Sequence, residues 1–293
     1  LRRALAGALG MLALQLPFAP ARASDLYTID NNFSRPDTRD RYTRQLLQAA
    51  LDASSAQFGP YQLRTSPLAM ERDRLMQEMV KGTLVNLSAQ ITSVEWEQKL
   101  IPIRIPLDKG LSGYRVSLID RRHQAQFDAV RTLEQLKRIP LGAGRQWSST
   151  AVFQQAGFPV ALGNSTPGLH SMLAADRFRH FPRGMEEAVF ELMVHGPAFP
   201  ELALERGFAI YMPLPRYFFV SPGQARLAER LEYGLRALIA DGRFDQMFHE
   251  FYDAMIERVG LRKRRLFKLD NPLLTPQTPL SNKAYWYDPF EHR

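Results

Sequence analysis

At 293 residues, 45% hydrophobic and 23% charged, the chain has the composition of a globular protein with room for two cores, which excludes a disordered or fibrous polymer. It contains no cysteine, so disulfides, thiolate metal sites, a cysteine nucleophile and a lipidated N-terminal cysteine are excluded together. The formal charge is +8, falling to about +5 without Arg2, Arg3 and Arg22 of the leader described next, and an exported protein of that charge is not expected to bind nucleic acid.

Residues 1–23 combine a basic start (Arg2, Arg3), an apolar run over 4–16 that is short for a membrane span, and Ala21-Arg22-Ala23 before Ser24. That is the pattern of a secretory signal peptide, with cleavage expected after Ala23 and a periplasmic destination. The mature chain is expected to be soluble, not membrane-anchored, and monomeric.

The mature chain opens with a short strand over 26–29 and the polar loop Asp30-Asn31-Asn32-Phe33. A helix is predicted over 37–54, with Tyr42, Leu46, Leu47, Ala50 and Leu51 on one face. A strand over 61–64 and a helix over 68–80 follow, the latter turning Leu68, Leu75, Met76 and Met79 inward. The run 83–87 reads as a buried parallel strand, Thr92 as an N-cap with Glu95 completing a capping box, and 100–105 as a strand bounded by Pro102 and Pro106. The alternation of strand and helix then crosses at Gly110 and Gly113 and restarts with a strand over 114–119.

Helices are predicted over 124–130 and 132–136. A strand near 139–141 leads through Gly142-Ala-Gly144 into a helix starting near Ser148. A strand over 158–162, a helix over 167–174, and a strand over 177–181 ending in Pro182-Arg183-Gly184 precede a helix over 185–194. After a strand over 208–212, Pro213-Leu-Pro215 marks a second crossing, followed by a strand over 217–220 and helices over 224–241 and 244–256. Two crossings make the first lobe discontinuous, 25–110 plus 215–260, with the second lobe over 111–212. The Pro-rich, aromatic tail over 261–293 is expected to wrap over one lobe. Its basic run Arg262-Lys-Arg-Arg265 reads as a solvated helix end.

This order of features resembles the type 2 periplasmic solute-binding proteins, nearest to solute-binding family 3, the amino-acid type, as a divergent member. The features are the export signal, Ala89-Gln-Ile-Thr92 opening a helix, a Pro-flanked strand, two crossings, and the closing Tyr217-Phe-Phe-Val-Ser221 with Asp241-Gly242-Arg243-Phe244. The resemblance covers roughly residues 25–258 and rests on order rather than on one motif. It implies an α/β fold of two lobes, each a mixed or parallel sheet flanked by helices, with the ligand cleft between them. It also implies capture of a small polar or anionic solute for an inner-membrane ABC permease or a sensor, with no cofactor. An enzyme of dehydratase or lyase type on the same fold is the alternative, and an exported interaction protein without ligand is a third.

Three family positions differ. The arginine that the family places three residues after its helix-opening Thr is Glu95 here, the second-lobe Asp is replaced by the context Arg177-Phe-Arg-His-Phe-Pro-Arg183-Gly184, and the aromatic-Pro-Pro after the first strand is replaced by Asn31, Asn32 and Phe33. A standard α-amino acid is therefore not the expected ligand. The candidate binding residues are Asn31, Asn32, Phe33, Thr92, Trp96, Ser148, Ser149, Arg183 and Glu186. Each has a plainer reading. Arg183, between a strand end and a helix N-terminus, suits an anion but could pair with Glu186 or Glu187. Glu186 is either that cap or a ligand contact. Thr92 is first a cap, Trp96 either core packing or a stacking platform, and Ser148, Ser149 and Thr150 either an oxyanion site or plain capping residues.

For catalysis the sequence shows little. The six histidines offer no zinc-binding helix and no Gly-x-Ser-x-Gly elbow exists, so neither catalytic nor metal-ligating residues are assigned.

Overall fold

The computed structural model describes residues 24–31 and 38–291. The expected signal peptide and the candidates Asn32 and Phe33 lie outside the described residues. In chain order the elements are β1 (Asp25–Ile29), α1 (Thr38–Ala53), α2 (Ser55–Phe58), β2 (Tyr61–Thr65), α3 (Arg72–Lys81), β3 (Leu87–Ile91), α4 (Val94–Lys99) and β4 (Ile101–Ile103). There follow β5 (Tyr114–Asp120), α5 (Gln124–Asp128), α6 (Leu133–Leu136), β6 (Leu141–Gly144), α7 (Ser148–Gln155), β7 (Val160–Gly163), α8 (Thr166–Ala174), β8 (His180–Gly184) and α9 (Met185–His195). The chain closes with β9 (Leu202–Leu204), β10 (Phe208–Tyr211), β11 (Arg216–Val220), α10 (Ala225–Ala240), α11 (Arg243–Arg258) and β12 (Arg265–Lys268).

Two sheets result. The first has strand order β2-β1-β3-β11-β4, parallel among β1, β2 and β3, with β11 antiparallel to β3 and β4. The second runs β12-β10-β5-β8-β6-β7, with β9 also paired to β5. The chain leaves the first sheet between β4 and β5 and returns between β10 and β11. Among the described residues no helix is long and apolar enough to cross a membrane.

The patterning explains the elements that position the cleft. On α1, Tyr42, Leu46, Leu47, Ala50 and Leu51 are all buried, the stripe that a 3.6-residue period projects to one side. Against them packs α10, at Gly234, where any Cβ would meet the Ala50 carbonyl oxygen at 1.9 Å. Pro102 is tolerated because β4 is the edge of its sheet, where one row of backbone groups needs no partner. The core runs continuously from the first lobe through Leu107 and Leu111 of the outgoing crossing into Tyr114, Val116 and Leu118 of β5.

Several expectations shift. Helix α3 begins at Arg72 rather than at 68, and Leu68 is exposed. The third strand is Leu87–Ile91, not 83–87, because the ladder starts where Leu87 meets both Ile29 and Val220. Before it, the Asn86 side chain accepts from Thr28 N at 2.7 Å and donates to Leu26 O at 2.9 Å, ending the loop. Gly142 and Gly144 lie inside β6, since Phe178 and Trp147 occupy the space a side chain would need. Strand β8 runs on through Gly184, which places Arg183 within the strand rather than beyond its end. Strand β9 was not foreseen.

The basic run 262–265 follows the end of α11 with Arg262, Lys263 and Arg265 exposed, as expected, but Arg264 departs from that reading. Arg264 is buried, donating from Nε to Val259 O at 2.8 Å and from Nη1 to Phe208 O at 3.0 Å, with Glu205 as its counter-charge at 3.5 Å. Nor does the tail keep to one lobe. It adds β12 to the second sheet in parallel with β10, and farther on bonds to α4 of the first lobe through Thr275 and Glu97.

Candidate functional site

Between the lobes lies a cleft of about 430 Å3. Its first-lobe wall is built by Asp30 just past β1, Gln90 and Ile91 at the end of β3, Arg72 in the first turn of α3, and Arg216 opening β11. The opposite wall comes from Arg115 on β5, Trp147 before α7, and Gly184 through Glu187 where β8 gives way to α9. Asp108 and Ser112 of the outgoing crossing form the floor between them. Parallel strands thus bring their carboxyl ends, and α9 its N-terminus, to one crevice.

Among the described residues, three arginines and six carboxylates line this space: Arg72, Arg115 and Arg216 against Asp30, Asp40, Glu71, Asp108, Glu186 and Glu187. Their formal sum is three negative charges. Arg115 pairs through Nη1 with Glu187 Oε2 at 3.2 Å and donates from Nη2 to Ser149 Oγ at 3.3 Å. Arg216 reaches Asp40 at 3.4 Å. Arg72 differs. Its Nη1 donates to Gln90 Oε1 at 2.9 Å and its Nη2 to Ile91 O at 2.7 Å, and the guanidinium lies 4.7 Å from the centroid of the Trp96 ring. Among the described residues no carboxylate stands within ion-pair distance of it. Burial pushes Arg72 down to about 10, still a full cation at neutral pH.

The acidic side is equally well supported. Asp30 is buried and accepts from Ser88 Oγ at 2.5 Å, and Ser88 in turn accepts from Gln90 Nε2 at 3.1 Å. A chain of hydrogen bonds therefore runs from Arg72 through Gln90 and Ser88 to Asp30. Asp108 accepts from Gly110 N at 3.1 Å, from Ser112 N at 3.0 Å and from the Ser112 hydroxyl. Burial raises the Asp108 carboxyl, and those Ser112 bonds together with Arg216 oppose the shift.

Of the described residues expected at the site, Glu186 alone lines the cleft. It is not the cap: Glu187 accepts from Gly184 N at 2.9 Å. Arg183 stands behind the wall, buried, with Nη2 to Glu191 Oε1 at 2.6 Å and Nη1 to Glu187 Oε2 at 3.4 Å, its guanidinium 4.1 Å from the Trp147 centroid. There it packs against Trp147 and pairs with Glu187 and Glu191, and it is not among the lining residues. Ser149 supports Arg115 in the same way, and Ser148 opens α7 without lining the cleft.

Thr92 is not the N-cap of α4; Ser93 is, accepting from Trp96 N at 3.3 Å. The Thr92 hydroxyl instead donates to Glu97 Oε1 at 2.6 Å, and Glu95 points outward to Lys99 at 2.7 Å. Trp96 is core, edge-on to Phe219 at 5.2 Å, yet its other face carries Arg72. Asn31 donates to Pro67 O at 3.5 Å, outside the cleft lining.

Sequence reasoning missed Arg72, Arg115, Arg216, Asp30, Asp40 and Asp108. One signal was present for Arg72. A cation in the first turn of a helix sits against the macrodipole, so something else must hold it there. Among the described residues no group of three or more histidines, aspartates or glutamates could hold a metal ion.

No protein-family model matches the sequence, and no curated protein matches it significantly. Solved structures match in shape. A probable amino-acid ABC transporter extracellular-binding protein from Bacillus subtilis aligns with TM-score 0.58 at 13% identity, over 78% of this chain and 98% of that one. An ancestral arginine-binding protein bound to arginine aligns with TM-score 0.54 at 13% identity, over the same 78% and 98%. A histidine kinase sensor domain similar to periplasmic binding proteins aligns with TM-score 0.51 at 13% identity, over 79% and 97%. The fold is that of the type 2 periplasmic binding proteins, and about a fifth of this chain lies outside what it shares with these structures.

Proposed function

We propose that the chain is an exported solute-binding protein whose cleft captures a small charged solute carrying both an anionic group and a cationic one. The observation that carries this reading is the unequal pairing of the cleft charges. Arg115 and Arg216 have carboxylate counter-charges, whereas Arg72 is a half-buried cation that donates to an amide and a backbone carbonyl, with no carboxylate among the described residues at ion-pair distance. A ligand carboxylate or comparable oxyanion would complete it through charge-assisted hydrogen bonds. The carboxylate excess elsewhere in the cleft favours an ammonium or guanidinium group at the other end of the same molecule. Arg72 then supplies the anion contact that Glu95, paired outward with Lys99, does not.

Bound between the lobes, such a ligand would be handed to an inner-membrane permease or read by a sensor. Delivery of this kind requires binding without turnover. The test is a thermal-shift and calorimetric screen of zwitterions, simple monoanions and simple monocations of similar size. Stabilisation by zwitterions alone, with the ligand recovered intact, is the expected result. Equal response to monoanions would remove the cationic requirement, and consumption of the ligand would make the protein an enzyme.

A further inference from the structure

We propose that the segment following β12, residues 269–290, is an intramolecular brace that sets the angle between the two lobes. It begins anchored in the second lobe, where Phe267 and Leu269 are buried in the core and Leu269 N donates to Tyr211 O at 2.8 Å. Asn271 Nδ2 then donates to Pro213 O at 2.8 Å, on the backbone of the return crossing. Four residues later Thr275 Oγ1 donates to Glu97 Oε2 at 2.9 Å, on α4 of the first lobe. Glu97 is a fixed anchor, because Arg104 holds the same oxygen at 2.9 Å and Thr92 the other at 2.6 Å.

The segment then reaches the outgoing crossing. Tyr287 N donates to Lys109 O at 2.8 Å, and Tyr114 OH donates to Tyr287 O at 3.1 Å. Trp286 lies flat on Gly110, where an added Cβ would approach ring carbon Cε3 to 2.4 Å. Its neighbours tie it to the closing helices of the first lobe: Arg236 of α10 donates to Tyr285 OH at 3.3 Å, and the Tyr287 ring sits 5.1 Å from Phe248 of α11.

Lobes joined by two crossings open by dihedral changes concentrated in those few residues. Here both crossings give a backbone carbonyl to the tail, and the same tail is embedded in one lobe and bonded to a buried carboxylate of the other. A wide opening must break the Thr275–Glu97 bond or draw Leu269 out of the core. The brace therefore biases the chain toward one lobe angle and pre-forms the cleft, so that ligand binding has less closure to drive. This goes beyond the proposed binding role and does not depend on which ligand is bound.

The absence of cysteine makes the test direct. Val94→Cys and Gln146→Cys place one exposed thiol on either side of the cleft, and spin labels there report the lobe separation by pulsed electron resonance. Without ligand, the braced chain is expected to give one narrow distance distribution. Releasing the brace with Asn271→Ala, Thr275→Val and Trp286→Ala together should broaden it and shift it to longer distance. A broad or two-peaked distribution in the unreleased protein, or no change on release, would overturn the proposal. Should the triple variant fail to fold, Thr275→Val alone, which removes the hydroxyl at nearly constant volume, is read by the same two outcomes.

Discussion

Arg72 lies on the face of Trp96, its guanidinium carbon 4.7 Å from the ring centroid, while the same indole packs T-shaped with Phe219 in the core, centroids 5.2 Å apart. One residue thus packs the core and supports a cation of the cleft wall. The indole closes the small core formed with Leu75, Met76 and Tyr217, and its outer face holds a cation at the cleft. Trp96→Ala should lower stability by about 3–5 kcal/mol through cavity formation, measured by urea denaturation. Trp96→Phe should cost less and leave a platform for Arg72. A loss below about 1 kcal/mol for the alanine variant would show that the packing role is misjudged.

A second prediction concerns Arg230, which is fully buried on α10. It bonds Asp25 Oδ2 at 2.9 Å, Gly59 O at 2.7 Å and Pro60 O at 3.0 Å, tying α10 to the start of β1 and the turn before β2. Arg230→Met removes the cation from a largely buried Asp25 and leaves the Gly59 carbonyl without the donor, while Pro60 O keeps Asp25 N. The expected loss is about 3–5 kcal/mol in equilibrium unfolding. A variant of wild-type stability would mean that Arg226, 3.0 Å from Asp25 Oδ1, suffices alone.

The buried imidazole of His180 gives a pH dependence with a definite sign. Enclosed by Phe127 and Phe208 and bonded at Nδ1 to Ser117 Oγ at 3.0 Å, it is pushed by burial down to about 3. The unfolded chain takes up this proton near pH 6.5, the folded chain only near 3, so between those values the unfolded state holds more protons. Stability from this group is complete above pH 6.5 and falls by about 1.4 kcal/mol per pH unit below it. Urea unfolding at pH 7, 6, 5 and 4 should show this slope, and His180→Leu should reduce it by one proton. An unchanged slope in the variant would assign the acid sensitivity to other groups.

The sequence showed the fold far better than the site. The apolar stripe of α1, the proline-marked strand near 100–105 and the two chain crossings follow from periodicity and from glycine and proline placement, which are local properties. The errors came where tertiary contact decides. Gly142 and Gly144 read as a loop, but they are strand residues flattened to admit Phe178 and Trp147. Thr92 reads as a cap because Glu95 follows three residues on, yet Ser93 takes that place and frees Thr92 to hold Glu97. Beside a helix N-terminus Arg183 suits an anion, yet its plainer reading, a pair with Glu187, is what the fold contains, and only the fold adds Glu191. Arg72 and Arg216 lie 144 residues apart in the chain and share a cleft wall through β3 and β11, a juxtaposition that no local pattern encodes.

The central claim is that Arg72 receives the anionic end of a small zwitterionic solute in the cleft. The direct measurement is isothermal calorimetry of the wild-type protein and Arg72→Gln with the tightest zwitterion found in the screen. Loss of charged hydrogen bonds worth about 1.5–3 kcal/mol predicts affinity lower by roughly ten- to a hundredfold, with unfolding stability little changed. Equal affinity in the two proteins, with both folded, would contradict the assignment of Arg72 as the anion contact.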